Sequence, residues 1–144
     1  MQGVQKGYHC AWEIHYHPVM PVKYRKALVS PAIEQTLVRV SGEIAERYAI
    51  EPECLGTDQD HVHLLCSAHP KLTPGRIVQI WKSLTARAIF KQHPEIKKEL
   101  WGGEFWTDGY YAATVSEQGS SATVEKYITN QGQPKEDLRQ LKLF

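Results

Sequence analysis

The sequence has few cysteines and no long apolar run. Its three cysteines, Cys10, Cys54 and Cys66, are an odd number without Cys-x-x-Cys spacing, so neither a disulfide framework nor a cysteine zinc site is indicated. No apolar stretch approaches the ~18 residues of a membrane span, and the first ten residues lack the charged-then-apolar layout of a signal peptide. We therefore expect a soluble protein of the reducing cytoplasm, without a membrane partner.

A large net charge is also absent. The formal net charge is only +1, but seven basic residues against one acidic residue give the segment 71–98 a charge of +6. A local basic surface can bind phosphates whatever the total charge, because counterion release depends on the cations at the contact. The same lysines and arginines can equally do no more than solvate helix surfaces. Charge alone therefore leaves nucleic-acid binding open.

The chain shows no internal repeat or low-complexity segment. With 144 residues and 42% hydrophobic residues it can bury the core of one compact domain. Two helix starts are marked by a capping residue before proline, at Ser30-Pro31 and Thr73-Pro74. Together with the apolar periodicity, they predict strands over residues 8–20, 53–57, 61–67 and 109–115, and helices over residues 31–49, 74–92 and 121–131.

This order of elements predicts an α+β fold. An antiparallel sheet with helices on one face accommodates the order βαββαβ, as in ferredoxin-like and RNA-recognition (RRM-like) folds, with the last helix added at the C-terminal end. Such a fold supports many activities, so the function has to be inferred from the site.

Two histidines stand one residue apart in the strand predicted over residues 61–67. Side chains at i and i+2 of a strand point the same way, so His61 and His63 share one face while Val62 and Leu64 take the other. Both imidazoles can therefore meet one metal ion or one phosphate. His15 and His17 have the same spacing on the first strand. The pattern alone does not choose between the two pairs, and either can consist of ordinary packed histidines.

A second group of polar residues lies on the last predicted helix. Tyr127 and Gln131 are four residues apart and so lie on one helical face. A tyrosine can act as a nucleophile if a cation or base lowers its pKa from about 10, and a glutamine carbonyl can bind a hard cation. The alternative is that Tyr127 packs with its apolar neighbours Val124 and Ile128 while Gln131 merely ends the helix.

Taken together, the motifs are similar to those of one known family. The sequence resembles the small single-tyrosine (Y1) transposases of the IS200/IS605 insertion sequences, members of the HUH (His-hydrophobic-His) endonuclease superfamily. The similarity extends over most of the chain, through Tyr16-His17, the segment 22–26, the segment 60–65, the segments 100–106 and 109–115, and the segment 124–131.

The resemblance implies a set of functional residues. Tyr127 would be the nucleophile, and His61, His63 and Gln131 would hold a divalent metal, Mg²⁺ or Mn²⁺. The implied reaction is attack on a single-stranded DNA phosphodiester, which gives a 5′-phosphotyrosine and a free 3′-hydroxyl. The transposase domain would span residues 1–132, followed by a polar tail over residues 133–144.

The resemblance also implies the partners. Family members are similar in being homodimers, in which the tyrosine helix of one subunit can complete the site of the other, and in recognising DNA hairpins at the element ends. Aromatic faces such as Trp106 or Tyr110 would suit unpaired bases. The candidates for gripping hairpin phosphates are the basic residues Lys23, Arg25, Lys26, Arg76, Lys82 and Arg87.

Two other functions remain as alternatives at this point. One is a host-adopted relative that processes repeated palindromes. The other is a non-catalytic nucleic-acid-binding module of the RNA-recognition type, although the first strand lacks the aromatic signature of that class. The enzyme hypothesis predicts that loss of the Tyr127 hydroxyl abolishes cleavage and spares binding.

Overall fold

A computed structural model describes residues 3–115. The predicted helix over residues 121–131 and the polar tail therefore lie outside the described residues, as do Tyr127 and Gln131. The described strands are β1 (Gln5–Gly7), β2 (Cys10–Trp12), β3 (His15–Pro21), β4 (Ile50–Thr57), β5 (His61–Ala68) and β6 (Tyr111–Val115). The helices are α1 (Pro31–Arg47) and α2 (Pro74–Gln92), with short 3-10 turns at Lys23–Arg25 and Pro94–Glu99.

The main sheet has the strand order β4-β5-β3-β6, and every pair in it is antiparallel. With β3, α1, β4, β5, α2 and β6 taken in turn, this is the predicted βαββαβ arrangement. The two central strands, β3 and β5, are both paired along two edges. A side chain on either central strand is therefore held by a backbone that is fixed from both sides.

Both long helices begin where the sequence predicts. The Ser30 hydroxyl accepts a hydrogen bond from the Ile33 amide, and the Thr73 hydroxyl accepts one from the Arg76 amide. Each capping residue is followed by proline at the first helical position, where the missing amide hydrogen costs nothing. Helix α2 ends at Gln92 because the next residue, His93, precedes Pro94 and leaves helical geometry.

The two faces of the sheet differ in character. The face covered by α1 and α2 carries the main core, in which Val62, Leu64 and Cys66 of β5 are fully buried. Within this core, the indole of Trp81 donates to the Ser41 hydroxyl at 2.9 Å, and that of Trp106 donates to the Thr85 hydroxyl at 3.0 Å. The opposite face carries the histidines of β3 and β5, as the alternation along β5 predicts.

The first predicted strand is divided in the structure. The expectation of one strand over residues 8–20 is replaced by the hairpin β1–β2 and the separate strand β3, with Glu13 and Ile14 between them. His9 adopts the left-handed conformation (φ 67°) in the hairpin turn. The hairpin packs through Trp12, whose ring centroid lies 4.5 Å from that of His69. None of the helices within residues 3–115 is both long and apolar enough to cross a membrane.

Candidate metal centre

Three histidines meet on the sheet face opposite the helices. His61 and His63 of β5 lie across from Pro21 and Val19 of β3, and His17 stands two residues before Val19 on the same face. Their exposed fractions are only 2%, 0% and 3% for His61, His63 and His17. Ring centroids of His61 and His63 are 5.1 Å apart, and those of His17 and His63 are also 5.1 Å apart. The cluster is thus buried and centred on His63.

His61 is oriented by a carboxylate. Its Nδ1 lies 2.7 Å from Oδ1 of Asp60, and because an ionised carboxylate only accepts, Nδ1 carries the proton and donates. The other oxygen, Oδ2, accepts from Nε of Arg25 at 3.3 Å. Burial raises the pKa of Asp60, but the hydrogen bond from His61 and the charge of Arg25 outweigh it, so that the pKa is lowered overall. Asp60 is therefore ionised at neutral pH, and Nε2 is the nitrogen of His61 that can bind a metal.

His63 is oriented by another histidine. Its Nδ1 lies 2.8 Å from Nε2 of His17, and the two rings are inclined by only 25°. Burial lowers the pKa of His63 to about 2, with a further contribution from repulsion by His17 and His61. Burial also lowers the pKa of His17 to about 4. Both rings are therefore neutral at pH 7, which is the form in which imidazole binds metals.

The donor set fits a divalent metal. A metal-bound imidazole places its ring centroid roughly 3.3 Å from the ion, so two such rings at 90–110° are about 4.6–5.4 Å apart. The observed separation of 5.1 Å between His61 and His63 lies within that range. Asp58 and Asp60 form a group with His61 in which one ligand atom from each lies within 4.8 Å of the others. Both arrangements share His61, and Asp60 is already engaged by His61 and Arg25.

His15 and His17, the alternative pair on β3, contact different residues. His15 donates from Nδ1 to Oε1 of Glu53 at 2.7 Å, and both side chains are buried. His17 instead contacts His63. The two histidines of β3 therefore have different partners, and only His17 joins the cluster around His61 and His63. The sequence presents His15 and His17 as an alternative to His61 and His63. In the structure, His17 is a neighbour of His61 and His63.

The sequence profile described as "Transposase IS200 like" matches residues 10–131. The chain belongs to the IS200-like transposase family. It is 34% identical over 128 residues to the ISDra2 transposase TnpA of Deinococcus radiodurans, a match that covers 89% of this chain and 91% of the relative. It is 26% identical over 126 residues to the IS200 transposase of Salmonella typhimurium, covering 85% and 80% of the two chains.

Solved structures agree with this assignment. A transposase structure from Deinococcus radiodurans superposes with a TM-score of 0.71 at 31% identity, covering 88% of this chain and 97% of the other. A REP-associated tyrosine transposase bound to a REP hairpin superposes with a TM-score of 0.58 over 94% of this chain and 74% of the other. The second pair shares only 8% identity, so that similarity concerns the fold alone. Family membership identifies a DNA-cleaving enzyme and disfavours the non-catalytic binding module.

The basic residues predicted at residues 23–26 of this transposase are paired with acidic groups. Lys23 contacts Oε2 of Glu104 at 3.0 Å, and Arg25 contacts Asp60 as described above. Lys26 donates to the carbonyl oxygen of Glu99 at 2.5 Å. The contacts of Lys23 and Lys26 join this segment to Glu104 and to Glu99, the last residue of the 3-10 turn Pro94–Glu99. Between 73 and 81 residues separate these two acids from the lysines, so no local pattern in the sequence indicates the pairing.

The three predicted cations of α2 differ in their surroundings. Lys82 donates to the carbonyl oxygens of Thr107 at 2.7 Å and Gly109 at 2.9 Å, and burial lowers its pKa. Arg76 contacts Oε1 of Gln79 at 3.0 Å and is exposed. Arg87 is also exposed and lines a groove between α1 and α2 of about 260 Å³. Four basic side chains line this groove: Arg39, Arg47, Arg87 and Lys91.

The two aromatic residues suggested for base stacking also differ. Trp106 is buried in the core, where its ring centroid lies 5.0 Å from that of Trp81. Tyr110 is 42% exposed, with the Lys82 ammonium 5.5 Å from its ring centroid. Of the two, only Tyr110 presents a ring surface that an unpaired base could reach. It lines a pocket of about 410 Å³ between α2 and the loop before β6.

Proposed function

We propose that this transposase cleaves and rejoins single-stranded DNA at the ends of an insertion sequence, with Tyr127 as nucleophile. The observation that carries the proposal is the buried pair His61 and His63, whose Nδ1 atoms are both engaged and whose separation suits two ligands of one metal ion. The family profile extends to residue 131, so its match includes Tyr127 and Gln131. This supports the assignment of Gln131 as the third ligand.

The proposed reaction conserves the energy of the phosphodiester bond. The Tyr127 phenolate oxygen attacks phosphorus and the bond to the 3′-oxygen breaks. The departing 3′-oxygen takes up a proton from solvent, so that a 5′-phosphotyrosine and a free 3′-hydroxyl result. A 3′-hydroxyl can later attack the phosphotyrosine and restore a phosphodiester without ATP. When bound, the metal supplies polarisation of the phosphate and stabilises the charge that develops on its oxygens. His61 and His63 contribute by holding neutral nitrogen ligands in a fixed direction, which avoids reorganisation during the reaction.

Mg²⁺ or Mn²⁺ is the proposed metal. Two imidazoles and one amide oxygen leave coordination positions for phosphate oxygens and water, which both ions prefer. The described members of the cluster, His17, His61 and His63, offer imidazole nitrogens rather than the thiolates of a structural zinc site.

The proposed substrate is a DNA hairpin next to the cleavage site. The hairpin bound by the REP-associated transposase supports this class of ligand for the shared fold. On this chain, the exposed cations Arg76 and Arg87 are the best placed of the predicted residues to contact phosphates without first breaking an ion pair. We also propose a homodimer in which the segment bearing Tyr127 completes the site of its own or of the partner subunit.

A covalent-intermediate assay tests the proposal. The full chain is incubated with 3′-end-labelled single-stranded DNA from the flanks of its own gene and Mg²⁺, and the products are run on a denaturing gel. We expect a slower covalent band for the wild type that is absent for Tyr127→Phe and absent for the wild type in excess EDTA. Hairpin binding by both proteins without any covalent band would contradict the enzyme and favour a binding function.

A further inference from the structure

We infer that His17 is a positioning residue for the metal centre. Its Nε2 accepts the Nδ1 proton of His63 and thereby fixes the tautomer in which His63 offers Nε2 to the metal. This inference rests on the proposed function, because it assumes that His63 is a ligand. It adds to the reaction a residue that touches neither the DNA nor the metal and acts only through His63.

The hydrogen bond between the two rings admits two arrangements. In one, His63 donates from Nδ1 and His17 accepts, so Nε2 of His63 has a lone pair. In the other, His17 donates and His63 accepts, and the proton of the neutral His63 ring is then on Nε2. Only the first arrangement lets Nε2 bind a metal, while the 2.8 Å contact engages Nδ1. Metal binding through His63 therefore requires His17 to be the acceptor.

Burial makes the hydrogen bond between His17 and His63 costly to lose. His17 and His63 are almost fully inaccessible, so bulk water does not compete for their ring nitrogens. Hydrogen bonds in such surroundings are expensive to lose, because solvent does not replace the missing partner. An aliphatic side chain at residue 17 would remove the acceptor. The tautomer of His63 would then be determined by its other contacts.

The backbone holds the two rings in register. β3 lies between β5 and β6, and His17 is directly opposite Ala113 on β6. Val19, two residues further along β3, is directly opposite His63. His17 is therefore held diagonally across from His63 by a strand that is paired on both edges. The corresponding partner of His61 is Asp60, so each of the two proposed histidine ligands has an acceptor for its Nδ1 proton.

The test compares two substitutions of His17 in the full chain. A glutamine side chain can place its carbonyl oxygen near the position of Nε2 and accept the same proton, whereas a leucine cannot. We expect His17→Gln to bind Mn²⁺ within about threefold of the wild type and His17→Leu to bind 10- to 100-fold more weakly, measured by electron paramagnetic resonance titration. His15→Gln, the same change two residues earlier on β3, is the matched control and should bind like the wild type.

A spectroscopic readout on the metal-free protein makes the inference independent of activity. Nitrogen-15 NMR of the imidazoles should show His63 protonated on Nδ1 in the wild type and in His17→Gln, and protonated at least partly on Nε2 in His17→Leu. A wild-type His63 protonated on Nε2 would overturn the inference. Equal losses of Mn²⁺ affinity in the glutamine and leucine variants would also overturn it, because an acceptor restored at residue 17 would then fail to restore metal binding.

The failure of the proposed function has a different signature. If His63→Ala binds Mn²⁺ as tightly as the wild type, the metal is not held by His63 and the proposed centre is wrong. If His63→Ala loses binding while His17→Leu retains wild-type affinity, the metal centre stands and the positioning role of His17 is refuted.

Discussion

Lys82 and Arg87, five residues apart on α2, provide a matched pair of charge deletions. The sequence assigns both to DNA phosphates, but Lys82 donates to the carbonyl oxygens of Thr107 and Gly109 while Arg87 lies exposed in the groove between the helices. We therefore expect Lys82→Gln to act on stability and Arg87→Gln to act on DNA binding.

The contacts of Lys82 set the size of the effect. A hydrogen bond from a charged donor contributes about 1.5–3 kcal/mol when buried. Lys82 is half-buried, so water replaces part of each of its two short bonds, and we expect a net loss of about 1–2 kcal/mol in the free energy of unfolding. Arg87→Gln changes an exposed side chain and should stay within about 0.5 kcal/mol of the wild type.

Two assays separate the roles. Urea denaturation gives the free energy of unfolding, and hairpin binding at several salt concentrations gives the slope of log K against log salt. Loss of one phosphate contact reduces the magnitude of that slope by about 0.7–0.9. We expect this reduction for Arg87→Gln and an unchanged slope for Lys82→Gln. A Lys82→Gln protein with wild-type stability and a reduced slope would show instead that Lys82 contacts a DNA phosphate.

Three further predictions concern the core and the metal centre. Thr85→Val should cost about 1–3 kcal/mol in urea denaturation, because the buried Trp106 indole loses its acceptor; wild-type stability would contradict this. Metal-free protein should be less stable at pH 5 than at pH 7, by about 2 kcal/mol for each of His17 and His63. Their pKa values are lowered in the folded state, so the histidines of the unfolded chain bind protons first as the pH falls below about 6.5, and unfolding is favoured. Equal stability at both pH values would argue against neutral buried rings. Asp60→Ala should weaken Mn²⁺ binding 10- to 100-fold and the control Asp58→Ala should not, whereas equal losses would place the ion in the acidic group.

Much of the fold follows from local signals in the sequence. The caps at Ser30 and Thr73 and the prolines after them are sufficient to start both helices. Alternation along β5 assigns His61 and His63 to one face, which the structure confirms. The hairpin β1–β2 was missed because its turn at Tyr8 and His9 carries none of the usual Asn-Gly or Asp-Gly signals.

The contacts of the site depend on long-range register and could not be predicted. His17 meets His63 because β3 pairs with β5 in one register, and a shift of one residue would turn His17 to the core face. A sequence with two His-x-His patterns therefore suggests two competing sites, whereas the folded chain adds His17 of one pattern to His61 and His63 of the other and pairs His15 with Glu53. The carbonyl oxygens that accept from Lys82 belong to the loop before β6. Its conformation cannot be predicted from the apolar periodicity of the sequence.

The strained turn at residues 23–25 shows the same dependence on distant contacts. Tyr24 and Arg25 both adopt left-handed backbone conformations, with φ of 61° and 53°, which cost roughly 1–2 kcal/mol each for residues with a side chain. Tyr24 is held by a hydrogen bond from its hydroxyl to the carbonyl oxygen of Trp101, and Arg25 by Asp60. The turn thus brings a cation to the carboxylate that orients His61.

The position of the metal ion shows whether His61 and His63 are its ligands. Crystals of the full chain soaked in Mn²⁺ and measured at a wavelength where manganese scatters anomalously would locate the ion. We expect one anomalous peak within about 2.2 Å of Nε2 of both His61 and His63. A peak bound by Asp58 and Asp60 instead, or no peak near His63 at saturating Mn²⁺, would contradict it.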